Sequence, residues 1–105
     1  MSESDLAEIG MTPRDMLEGL LELASRAELE VRTLSAAASA ADFSPTESAA
    51  CRVGARVWVV LAPDDPLPHQ VSVLAGALGR FRGEFLEANF VAPGVRDFIE
   101  RVVGS

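Results

Sequence analysis

The stretch at residues 51–83, CRVGARVWVVLAPDDPLPHQVSVLAGALGRFRG, admits few folds, because each of its boundaries carries its own chemistry. Gly54-Ala55 stands between two strand-like runs, and two residues with glycine first suit a hairpin turn of the II′ kind. Residues 57–62, VWVVLA, place Val57, Val59 and Leu61 on one face and Trp58, Val60 and Ala62 on the other. A strand apolar on both faces is central or covered on each side. Pro63-Asp64-Asp65-Pro66-Leu67-Pro68 then ends the strand and opens a helix, with an aspartate as the expected cap and proline confined to the first turn. Within that helix Leu67, Val71, Leu74, Ala75, Leu78 and Phe81 form a core stripe, while Ser72, Gly76, Gly79 and Gly83 share one flank. A helical glycine costs about 1 kcal/mol against alanine. The flank is therefore expected to receive another backbone at close range, with self-association into a homodimer as one source of it. A frayed helix end beyond Gly79 is the competing reading.

Upstream, residues 1–11 are polar and small, and a loosely ordered tail is expected there. Thr12-Pro13-Arg14-Asp15 marks a helix start, with Thr12 as cap, proline at the first helical position and Asp15 near the positive end of the helix dipole. Met16, Leu17, Leu20, Leu21, Leu23, Ala24 and Ala27 recur at helical spacing, whereas Asp15, Glu18 and Glu22 gather on an acidic face where Glu22 and Arg26 form an i,i+4 pair. Residues 28–34, ELEVRTL, alternate as a half-exposed edge strand does. Residues 35–48 are Ser/Ala-rich, and a mobile loop is expected, either a binding element or a dispensable insertion.

Gly83 is expected to end the central helix. A short apolar segment follows at 84–91, and Pro93-Gly94 opens a last helix with Val95, Phe98, Ile99, Val102 and Val103 facing inward. The order predicts a single α+β domain over 12–105: a small antiparallel sheet of about three strands with an N-terminal helix, a helix after the central strand and a C-terminal helix.

Charge narrows the partners. The chain of 105 residues has a net charge of −7; residues 1–30 hold eight acids and two Arg, the rest eight acids and seven Arg. That balance lacks the basic footprint of nucleic-acid or anionic-membrane binding. The acidic helix face reads as a solubilising surface or as the contact for a basic protein. Residues 57–62 are the longest apolar run, far short of the roughly 20 residues that cross a bilayer. One cysteine excludes an intrachain disulfide, and the start MSESD lacks the features of a signal peptide, so a reducing, cytoplasmic setting is expected. All nine basic residues are Arg, a usage that GC-rich codons favour, which points to a bacterial source.

The order apolar strand, Leu67-Pro68 turn and helix beginning HQVSVLAGALGRF resembles the core of the ImmA/IrrE-type minimal zinc metallopeptidases, over roughly residues 50–83. In that family a His-Glu-x-x-His box follows a Leu-Ala pair. The resemblance places Gly76 at the first zinc histidine, Ala77 at the catalytic glutamate and Arg80 at the second histidine. None of the three can do that chemistry, since a catalytic zinc needs three protein ligands and a base for its water. The resemblance thus implies a scaffold without catalytic residues, metal or cofactor.

Outside that box the candidates are few. His69, the only histidine, reads as a solvated side chain in the first turn of its helix, or as a general base or phosphocarrier. Cys51 reads as a buried thiol, or as one activated by Arg52. Asp64 and Asp65 fall short of a ligand set for a hard cation. Trp58 and the phenylalanines are expected in the core rather than as a stacking platform. The first functional expectation is a non-enzymatic protein-binding or adaptor domain with an unidentified protein partner. The alternative is a small enzyme or phosphocarrier using His69 or Cys51.

Overall fold

The computed structural model describes residues 3–33, 48–54, 56–62 and 65–104. Among them the elements run α1 (Glu3–Ile9), α2 (Pro13–Arg26), β1 (Glu30–Thr33), β2 (Ala49–Val53), β3 (Arg56–Leu61), α3 (Leu67–Phe81), α4 (Gly83–Ala88) and α5 (Pro93–Gly104). The chain is a small α+β fold. The Ser/Ala-rich stretch lies outside the described residues except for Ser48, as does Asp64.

Gly54 has φ +62°, the left-handed conformation that a primed two-residue turn requires at its first position. It joins β2 to β3 as an antiparallel pair with Val53 opposite Arg56 and Ala49 opposite Val60. On the other side of β3 lies β1, parallel to it, with Glu30 opposite Trp58 and Thr33 opposite Leu61. The order β1-β3-β2 makes β3 central, as its sequence predicts, and β1 an edge. The sheet is mixed rather than wholly antiparallel as expected. β3 follows a hairpin from β2, and β2 starts at the same end of the sheet where β1 finishes, so β1 and β3 share a direction.

The start of α2 follows its sequence signal: the Asp15 N–H donates to Thr12 Oγ1 at 3.1 Å, and Pro13 sits in the first turn. Met16, Leu20, Leu23 and Ala24 are buried, and Asp15, Glu18 and Glu22 are exposed. Arg26 does not pair with Glu22; it donates to the Phe90 carbonyl at 3.3 Å and lies over the Phe85 ring. Residues 3–9, expected within a loose tail, form α1, whose Leu6 is buried in the core.

Five consecutive residues of α3, from Leu74 to Leu78, are buried, which no single stripe can achieve. The helix is enclosed: β2 and β3 lie against one side, α5 against another and α2 alongside. The flank of small residues meets α5 of the same chain. A Cβ at Gly79 would overlap the Val103 side chain and approach Ile99 at 3.1 Å, and one at Gly76 would touch Val102 at 3.4 Å. Ser72 turns its hydroxyl back to the Pro68 carbonyl, and Gly83 has no neighbour within 4 Å of its Cβ position. The flank expected to serve self-association is thus filled from within at Gly76 and Gly79 and unused at Ser72 and Gly83. In α5, Val95, Phe98 and Ile99 are buried as expected, whereas Val103, near the end, is 43% exposed. Gly83 opens α4 after a break at Arg82, whose Nε donates to the Ala27 carbonyl at 3.0 Å and so binds the end of α2 to the end of α3.

Helices cover one face of the sheet. Val57, Val59 and Leu61 point into the core, while Trp58 and Val60 are only half-buried on the opposite face. Trp58, expected in the core, instead lies under the guanidinium groups of Arg32 and Arg56, 4.7 and 5.6 Å from its ring centre. Phe90, also expected inside, is 75% exposed.

Candidate functional site

The turn between β3 and α3 carries the one buried carboxylate among the described residues, and it does not cap the helix. Pro66 is the first residue of the cap, with no side-chain hydrogen bond. Asp65 points back toward the sheet instead, where the Ser48 N–H donates to its Oδ2 at 3.0 Å. From the other side His69 Nδ1 donates to the same oxygen at 2.6 Å. The Ala62 N–H donates to Ser48 Oγ at 3.0 Å, and Gln70 Nε2 donates to the Asp65 carbonyl at 2.7 Å. Ser48 and Asp65 are 6% and 8% exposed, so each bond replaces one that water would otherwise make. Burial pushes the Asp65 pKa up, but hydrogen bonds from the Ser48 hydroxyl and amide, and then from His69, outweigh it and hold the carboxyl below its ordinary 3.8. The ionised carboxylate accepts every one of these bonds.

The network ties three pieces together: the first residue before β2, the turn after β3 and the first turn of α3. A cleft of about 390 Å³ opens beside it, lined by Ala49 and Ala50 of β2, His69, Ser72, Val73 and Arg80 of α3, and Val102 of α5. Successive strand residues point to opposite faces, so a cleft touching both Ala49 and Ala50 lies at the strand's edge. That edge has no described neighbour, since β2 ends the sheet. His69 and Arg80 are eleven residues apart on one helix, about 16 Å along its axis at ~1.5 Å per residue. Arg80 shortens the span by folding back along the helix, its guanidinium carbon 3.7 Å from the point a Gly76 Cβ would occupy. It makes no hydrogen bond or ion pair with the described residues.

Chemically, a carboxylate on Nδ1 fixes the imidazole ring and, in its neutral form, leaves Nε2 as an acceptor. The side chain of His69 is half-exposed, at 47%. A nucleophile would have to stand beside Nε2, and neither nearby serine does. The Ser48 hydroxyl is engaged by Ala62 and Asp65, and that of Ser72 by the Pro68 carbonyl. The Cys51 side chain lies outside what the structure describes. Gly76 and Ala77, placed at the zinc box by resemblance, are buried within the helix packing, and no cluster of metal-ligating side chains occurs among the described residues.

The acidic face lies elsewhere. Asp15, Glu18 and Glu22 remain exposed on α2, which packs against β1 and α3, whereas the cleft is at the β2 side of the sheet. Sequence reasoning singled out His69 but read Asp65 as a cap; the i,i+4 spacing of the two was the available signal. Ala49 and Ala50 carried no signal, and Val102 read only as an inward-facing residue of the last helix. In comparison with known proteins, no family model, curated protein or solved structure matches the chain.

Proposed function

We propose that this chain is a non-enzymatic protein-binding domain, an adaptor whose contact surface is the cleft between the β2 edge and α3. One observation supports the reading above the rest: a strand edge with no neighbour among the described residues, beside a helix, with side chains of different chemistry spread along about 10 Å from His69 to the level of Gly76. That span suits about three residues of an extended chain, at ~3.3 Å each, better than a compact small molecule. The buried Asp65 network holds β2 at its distance from α3 and so sets the cleft's width. A bacterial, cytoplasmic setting belongs to the same proposal, as does the reading of residues 50–83 as a metallopeptidase-like scaffold without its chemistry. For the latter the support is the strand-turn-helix order of β3 and α3. No described helix is long and apolar enough to cross a membrane.

The test is selection of a displayed library of random heptapeptides against the purified chain, followed by amide chemical-shift mapping of what is retained. Shifts at 49–53 and 67–80 are expected. Failure to retain any peptide, or shifts confined to α2 around Asp15, Glu18 and Glu22, would remove the cleft from consideration. The Asp65–His69 pair favours one second reading, an enzyme or phosphocarrier that uses His69 Nε2. Retention of peptides by a His69→Ala variant alongside loss of a cellular phenotype would favour it.

A further inference from the structure

We infer that the outer edge of β2 takes up an extended segment of a partner protein as a fourth strand, with an acidic side chain of that segment held by Arg80; this rests on the protein-binding reading above. The register identifies the backbone groups on offer. Val53 and Arg56 flank a two-residue turn and exchange both of their hydrogen bonds, and from there bonded and non-bonded pairs alternate along the hairpin. Ala49 and Cys51 therefore direct their N–H and C=O groups to Val60 and Trp58 of β3. Ala50 and Arg52, opposite Val59 and Val57, turn theirs outward. No described element lies beyond them.

Ala50 is exposed and lines the cleft itself, and the register turns its N–H and C=O away from β3, toward the side with no described neighbour. A strand added there passes along α3, where Val73 and Val102 offer apolar walls, the His69 imidazole offers an acceptor to a hydroxyl, and Arg80 offers an exposed guanidinium that no described residue pairs with. Charge selects the occupant. The β2 of a second copy, Ala-Ala-Cys-Arg-Val, contains no acid and so offers no counter-charge to Arg80. An acidic residue in a foreign strand makes a charge-assisted pair instead.

The test uses the full chain, labelled for amide detection, and a capped five-residue peptide of threonine, valine, glutamate, valine and threonine. Binding is expected to shift the amides of Ala50 and Arg52 and those along 69–80. Replacing the central glutamate by glutamine, or Arg80→Gln in the protein, is expected to weaken binding roughly tenfold. Ala50→Pro removes an N–H that β3 does not use, a substitution that edge strands accept, and is expected to abolish binding while the amides of Ala49, Cys51 and Val53 stay protected. Unchanged affinity in Ala50→Pro would overturn strand addition and leave the protein-binding reading standing, since the heptapeptide selection decides that separately. Equal affinity for the glutamate and glutamine peptides would overturn the role of Arg80. A wild-type dimer that Ala50→Pro converts to a monomer would overturn the inference by naming a second copy as the occupant.

Discussion

β1 and β2 terminate the same three-stranded sheet, yet their edges are treated in opposite ways. On β1, Glu30 and Arg32 stand on the outer face, Glu30 accepts an ion pair from Arg56, and Arg32 covers Trp58. Charge held over an edge in this way discourages pairing with a foreign strand. β2 presents Ala49 and Ala50, without charge or bulk, to a cleft that contains Arg80, an exposed arginine with no ion-pair partner among the described residues. Among the described residues the β1 edge thus carries ion-paired charge along its outer face, whereas on β2 the one charged residue is Arg52, near the hairpin, and the Ala49–Ala50 end lies beside the buried Asp65 network. An edge left open beside a rigid helix is what strand addition requires.

The contrast can be tested by asking which edge responds to which substitution. Leu74 is fully buried at the centre of α3, so Leu74→Ala is expected to cost about 3 kcal/mol, measured by denaturant unfolding, and to raise hydrogen exchange at both edges alike. Unequal exchange at the two edges would show that α3 supports them separately. A smaller and local effect is expected from Asp65→Ala, which strands the buried Ser48 N–H: about 1 to 3 kcal/mol, with faster exchange in β2 and little change in β1.

The same carboxylate should appear in the acid limb of the stability curve. Its folded pKa lies below the ordinary 3.8, so in acid the unfolded chain takes up the proton first. The contribution is full above the unfolded value and is lost as pH falls through the folded one. Wild type should lose more stability than Asp65→Asn between about pH 5 and about pH 3, and parallel curves would deny the shift. The smallest effect is expected at the guarded edge. The ion pair of Glu30 with Arg56 is largely exposed, so Glu30→Gln is expected to change stability by about 0.5 kcal/mol or less. A larger loss would mean that β1 relies on this pair for folding and not only for protection.

Local chemistry made much of the fold readable. Thr12-Pro13 located the start of α2, Gly54 the hairpin, and the two-faced apolar run 57–62 the central strand, because each signal acts through the residue's own backbone or its immediate neighbours. The site was only partly legible. Asp65 looked like a cap because a carboxylate before a helix satisfies free amides in the commonest case. Which amide it meets depends on Ser48, seventeen residues upstream, and that meeting exists only once the hairpin has formed. On the glycine flank, side chains of α5 meet Gly76 and Gly79, while nothing approaches Gly83. Its occupant, α5, could not be told from a second copy, because a helical glycine offers the same space to either.

The direction of β1 was beyond local reading as well, since a strand of four residues carries no mark of the partner it will run beside. The sequence by itself determined the strand-turn-helix unit at 51–83, the amphipathic α2 and the absence of a zinc box, all properties of side chains taken in order. Only the tertiary structure decided that β1 lies parallel to β3, that α3 is enclosed on several sides, and that Ala50, His69 and Arg80 share a cleft. The physical reason is that these depend on contacts between residues far apart in the chain, whose free energy exists only in the assembled fold.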